Sequence, residues 1–131
     1  MTKHASGTFD VQVNPAAPLD EAEGITLGRM SLGKQFHGEL DATSQGQMLT
    51  AATEGNGSGA YVAIERVTGV LSGRSGSFVL MHSGTMTRDG QHLSVTVAPG
   101  SGTGQLVGLA GQMAITIVDT QHRYDFAYTQ G

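Results

Sequence analysis

Apolar and polar side chains alternate along most of the chain with a period of two, the spacing of strands and not of helices. Phe9, Val11 and Val13 alternate in a first segment, and Met30, Leu32, Phe36 and Leu40 share one parity in a long second one, residues 26–40. A weaker third segment covers residues 46–53, followed by residues 59–71, 74–88, 91–98, 111–118 and 121–128, which brings the predicted strands to eight. Residues 14–24, with Pro15, Pro18 and the acidic run Asp20-Glu21-Ala22-Glu23, are the one long connection and have room for a turn of helix over one barrel mouth.

Eight mostly hairpin-linked strands with no helix to cover them would leave an apolar face and two edges exposed. Closure removes both problems, so the pattern predicts an all-β, eight-stranded antiparallel barrel, closed or nearly so, in one domain over residues 1–131. Twenty glycines against three prolines support this, because the glycines are dispersed between apolar runs as turn and corner residues. The densest stretch, Pro99-Gly-Ser-Gly-Thr-Gly-Gln-Leu-Val-Gly-Leu-Ala-Gly111, matches neither a dinucleotide fingerprint nor a phosphate-binding loop. It reads as a strand corner that lets the last strands close against the first.

The central hairpin carries the chemistry. A two-residue Ser72-Gly73 turn pairs Leu71 with Arg74, Val67 with Phe78, Glu65 with Leu80 and Ala63 with His82. An Asp89-Gly90 turn would then pair Met86 with Leu93, Gly84 with Val95 and His82 with Val97. One face therefore presents Tyr61, Ala63, Glu65, Val67, Phe78, Leu80, His82, Met86, Leu93, Val95 and Val97, and is assigned to the interior. The reverse face has the Ser83, Thr85, Ser94 and Thr96 of an outer wall, but also Val62, Ile64, Val79 and Met81 around Arg66. That apolar patch predicts a homo-oligomer.

Burial disfavours the charged forms of Glu65 and His82, and pairing opposes this, so the two suit proton transfer or serve as polar handles for a ligand. As a purely structural pair they would do no more than hold the strand register. Arg66 has the opposite parity and lies outside any such site.

The remaining composition mainly excludes. Net charge is −4 with no basic run, which argues against a nucleic-acid partner. Without cysteine there are no disulfides, thiolate nucleophiles or thiolate metal sites. No apolar signal core or 18-residue apolar run occurs, so a soluble cytoplasmic protein without a membrane partner is expected. His4, His37, His82, His92 and His122 fall on separate strands or ends, so no metal site is expected, and nothing points to a cofactor. No nucleophile elbow is present, and Asn56-Gly57-Ser58, though a glycosylation triplet, reads as a turn.

The runs Ala5-Ser-Gly-Thr-Phe9, Asp20-Glu-Ala-Glu-Gly24, Glu65-Arg-Val-Thr-Gly69, Gly73-Arg-Ser-Gly-Ser-Phe78, His82-Ser-Gly84 and Pro99-Gly-Ser-Gly-Thr-Gly104 resemble a bacterial family of uncharacterised single-domain proteins, over nearly the whole chain. That family resembles in fold the allene oxide cyclase-like barrels, relatives of the lipocalin and dirigent barrels. The resemblance implies a barrel with a cavity, in a group whose members bind hydrophobic small molecules or steer cyclisations and often form oligomers. It implies no assigned activity, and no cyclase active-site motif aligns with this chain.

Three readings follow. The preferred one is a binding barrel for an apolar small molecule, with Tyr61, Val67, Phe78, Leu80, Met86, Val95 and Val97 as walls and Glu65 and His82 as handles. The second is an isomerase or cyclase in which Glu65 or His82 moves a proton. The third is a structural barrel whose interior is filled by Met30, Phe36, Phe78, Tyr124 and Phe126.

Overall fold

The computed structural model describes residues 1–55 and 57–130, so Asn56 of the predicted turn triplet lies outside the described residues. Nine strands follow in chain order: β1 (Lys3–Pro15), β2 (Asp20–Ala22), β3 (Ile25–Gly38), β4 (Leu40–Thr53), β5 (Gly59–Leu71), β6 (Arg74–Thr87), β7 (Gly90–Val97), β8 (Leu109–Val118) and β9 (Gln121–Gln130). The strands run in the order β1-β9-β8-β7-β6-β5-β4-β3, and pairing of β1 with β3 closes an antiparallel eight-stranded barrel. Among the described residues there is no α-helix, only a 3₁₀ turn at Gly104–Leu106, and no helix is long and apolar enough to cross a membrane.

The extra strand is β2. No turn of helix forms in residues 14–24; instead the chain stays on the edge of β3, through Ala16 N–H to Arg29 O and Leu19 N–H to Leu27 O, and β2 re-forms the ladder at Asp20↔Leu27. Pro18 has no N–H to give, which interrupts what would otherwise be one strand continuing β1.

Sequence alternation also misplaces the β3–β4 corner. Strand β4 starts at Leu40 and not at residue 46, with only Glu39 separating it from β3. Phe36 and Leu40 point inward from either side of this corner, so the even parity passes through it unbroken. The Tyr124 hydroxyl pins the corner, accepting from Leu40 N–H at 2.9 Å and donating to His37 O at 2.9 Å.

The β5–β6 register is the expected one, Val67↔Phe78, Glu65↔Leu80 and Ala63↔His82, about a turn with Ser72 at φ 46° and Gly73 at φ 86°. The β6–β7 register differs by two residues: Thr87 pairs with Gly90, His82 with Val95 and Gly84 with Leu93. Asp89 does not enter the left-handed region that the predicted turn requires; Arg88 and Asp89 form the loop and Gly90 begins the strand. A slip of two keeps every side chain on its face.

Beyond β7, residues 98–103 turn back along the outer edge of β6, with Ala98 N–H to Val79 O and Thr103 N–H to Ser77 O. This corner carries Leu106 into the core, while β7 and β8 share only the Thr96↔Gln112 bridge. It also covers part of the outer apolar patch: Val79 is half-buried, while Val62, Ile64 and Met81 stay exposed beside Leu49.

The barrel interior is not uniform. The end bearing the Ser72-Gly73 turn, here the lower end, is packed solid with Phe36, Leu40, Leu71, Phe78, Phe126 and Tyr128. Phe126 stacks between Phe78 and Tyr128, with centroids at 5.7 and 5.2 Å. Four of the five residues predicted to fill the interior, Phe36, Phe78, Tyr124 and Phe126, are in this core, while half-buried Met30 is not.

Candidate functional site

Halfway up the lumen the apolar lining is broken by four polar side chains from four strands. Glu65 on β5 is fully buried, Lys34 on β3 and His82 on β6 have 6% and 5% of their side chains exposed, and Ser44 on β4 is buried. Glu65 Oε1 accepts from Lys34 Nζ at 2.9 Å and contacts His82 Nε2 at 2.7 Å, while Oε2 accepts from Ser44 Oγ at 2.7 Å. The carboxylate is thus surrounded by donors, and the Lys34 ammonium also lies 4.9 Å from the centre of the Phe9 ring.

Local backbone packing aims these groups. Gly46 faces Glu65 across the β4–β5 ladder, and a Cβ there would come within 2.7 Å of both Glu65 Cα and Cβ, so only glycine lets β4 lie this close to Glu65. Gly84 does the same for Tyr61, whose ring lies flat where a Cβ would come within 2.5 Å of it. Tyr61 stands beside His82, with ring centroids 6.5 Å apart.

Burial is the largest influence on Glu65 and pushes its pKa up, but the His82 hydrogen bond and the charge and hydrogen bond of Lys34 outweigh it and hold the carboxyl at about 2. Burial, and then the negative charge of Glu65, push the Tyr61 phenol up. Glu65 is therefore a fixed anion that holds its neighbours in place and a poor proton acceptor near neutrality.

Above this cluster the barrel opens. Met30, Met48, Thr50, Tyr61, Met86 and Leu93 line a cavity of about 490 Å³ at the upper mouth. Of the predicted walls, Tyr61 and Met86 line it; Val67, Phe78, Leu80, Val95 and Val97 do not, because all five are buried in the core. A second, open groove of about 800 Å³ lies on the outer face over Leu49, Val62, Ile64 and Met81, flanked by Arg29 and Gln47. Arg66 is exposed on the outer wall, apart from the cluster.

Sequence reasoning brought Glu65 and His82 together and missed Lys34 and Ser44. Lys34 shares the inward parity of Met30, Leu32 and Phe36, so a lysine in that series was a readable signal. Ser44 went unseen because residues 41–45 were given to no strand. Among the described residues no group of three His, Cys, Asp or Glu side chains is arranged to hold a metal ion.

A family profile described as "Protein of unknown function (DUF3224)" matches residues 5–128. The fold is similar to the 1.84 Å crystal structure of a protein with unknown function from the DUF3224 family of Shewanella oneidensis MR-1. The two are 47% identical with a TM-score of 0.94, over 100% of this chain and 99% of that one. No curated protein matches the chain.

Proposed function

The chain belongs to the DUF3224 family of proteins of unknown function, and we propose that it binds an apolar small molecule in the upper mouth of its barrel. The observation that carries this reading is the cavity of about 490 Å³ over a packed lower half, lined mainly by apolar side chains, with Tyr61 in its wall. Its size lies within the roughly 300–1,000 Å³ of small-molecule sites. Met30, Met48 and Met86 suit a ligand whose shape the wall must follow, because the thioether side chain is flexible and polarizable. Binding is favoured over an isomerase in which Glu65 is the base, because a carboxyl held at about 2 with its oxygens engaged by Lys34, Ser44 and His82 has little basicity to offer.

The test is titration with the neutral fluorophore N-phenyl-1-naphthylamine. The wild-type chain is expected to bind it, and Thr50→Trp, which fills the mouth from β4, to lose the binding. Equal binding by both proteins would place the probe elsewhere and contradict the reading.

We also infer that a second copy of the chain covers the outer groove. Val62, Ile64 and Met81 are 53%, 62% and 43% exposed there, next to Leu49 at 49%. A dimer in sedimentation velocity at micromolar concentration, dissociated by Ile64→Glu, is expected; a wild-type monomer under those conditions would contradict it.

A further inference from the structure

We propose that the outer groove is closed by the acidic corner of a second copy, with Glu21, Glu23 and Glu54 of each copy seated over Arg66 of the other. This rests on the reading that a second copy covers the groove, and deepens it by naming the surface that does so.

The first observation is a charge imbalance on the outer wall. The groove is lined by Leu49, Val62, Ile64 and Met81 with Arg29 at its side and no carboxylate. Arg66 stands on the same wall, outward like Val62 and Ile64, with Gln45 and Val79 across from it on the two neighbouring strands. Among the described residues neither arginine makes an ion pair. Groove packed on groove alone would gather both arginines of each copy at one interface with nothing to neutralise them, and like charges facing each other disfavour association. A copy that covers the groove therefore has to bring carboxylates with it.

The second observation is where such carboxylates lie. The β2–β3 turn and the β4–β5 loop meet at one upper corner, where Glu54 N–H donates to Gly24 O at 2.9 Å. Glu21, Glu23 and Glu54 line a cleft of about 230 Å³ there. All three are exposed and, among the described residues, none makes an ion pair. Like charges held together by the backbone repel one another, and a planar guanidinium with its fork of donors relieves that repulsion. Ile25 and Leu27, 45% and 41% exposed, extend the apolar surface from the groove to this corner.

Position makes the two surfaces complementary within one chain. At roughly 3.4 Å per residue, Glu54 at the end of β4 lies roughly 17 Å above Leu49, and Gln45, which pairs with Arg66, lies roughly 14 Å below it. A two-fold axis passing near Leu49 thus sets each acidic corner opposite Arg66 of the other copy and presses the two apolar patches together. Both charge contacts and the apolar contact form in the same step.

Sedimentation velocity of the full chain and charge-reversed variants at micromolar concentration tests this. Arg66→Glu, and separately Glu21→Lys with Glu23→Lys and Glu54→Lys, are each expected to weaken the wild-type dimer about tenfold or more, and the wild-type dimer to weaken as salt rises. Mixed in equal amounts, the two variants should form a dimer at a concentration where neither does so alone, since in the mixed pair one contact keeps its original charges and the other has both reversed. Arg123→Glu, an equal charge change on the outer wall of β9, should leave dimerisation intact. A dimer that Ile64→Glu dissociates but the Arg66 and acidic-corner variants do not, or a mixture that stays monomeric, would overturn the acidic seat and leave the second-copy reading standing. Weakening by Arg123→Glu equal to that by Arg66→Glu would overturn the seat as well, by tracing the effect to net charge. A wild-type monomer would overturn both.

Discussion

The lower and upper halves of this barrel are made by the same alternation of inward and outward residues, yet one is filled and the other open. Below the Glu65 cluster the inward positions carry Phe36, Phe78, Phe126 and Tyr128, whose rings stack and exclude solvent. Above it they carry Met30, Met48, Tyr61 and Leu93, around a cavity instead of a core. The strands are continuous across the boundary, so the division of labour is set by side-chain volume alone. An eight-stranded barrel is wide enough for side chains to fill or for one small ligand to enter, and this chain does each in a different half.

The contrast breaks most sharply if the lower core is cut. Phe126→Ala, which removes the middle ring of the stack, should destabilise the protein by about 3–5 kcal/mol in urea denaturation. A cost below about 1 kcal/mol would mean that the lower half is not the core described here.

Next comes the boundary. Glu65→Leu leaves the buried Lys34 charge without its partner and is expected to cost about 3–5 kcal/mol, whereas Lys34→Met combined with Glu65→Leu should recover much of that loss. A double variant no more stable than Glu65→Leu alone would show that the pair is not the source of the cost.

The same carboxylate predicts a pH signature. Its folded pKa of about 2 lies below the ordinary 4.5, so ionised Glu65 contributes stability that is fully present above about pH 4.5 and is lost as pH falls towards 2. The stability difference between wild type and Glu65→Gln should therefore hold level at higher pH and shrink within that window. A difference that grew on acidification would contradict the depressed pKa.

The smallest effect on stability belongs to the mouth. Met86 is 46% exposed, and Met86→Ala should change stability by less than about 1 kcal/mol while weakening binding of an apolar probe several-fold. Loss of stability comparable with Phe126→Ala would erase the distinction between the halves.

Much of this arrangement was legible in the chain. The period-two pattern leads to a barrel, and the Ser72-Gly73 turn leads to the correct pairing of Glu65 with Leu80 and Ala63 with His82. What alternation does not reveal is where a strand turns without changing parity, and this hid both the Gly38–Leu40 corner and, with it, Ser44. It also does not say which inward residues meet ring against ring. Val67, Leu80 and Val95 satisfy the same rule as Tyr61 and Met86, and only the depth of each along the barrel separates core from cavity. Lys34 was readable, because a charged residue in the inward series of β3 has to find a partner inside.

The six methionines give the most direct test of the division itself, since Met30, Met48 and Met86 line the mouth, Met113 is in the core, Met81 is on the outer face and Met1 is at the terminus. With methyl-¹³C methionine in the chain, titration with N-phenyl-1-naphthylamine should shift the NMR signals of Met30, Met48 and Met86 together and leave Met1 and Met81 in place. Shifts confined to Met81, or none at the three mouth methyls while ligand is bound, would contradict a binding site in the upper barrel.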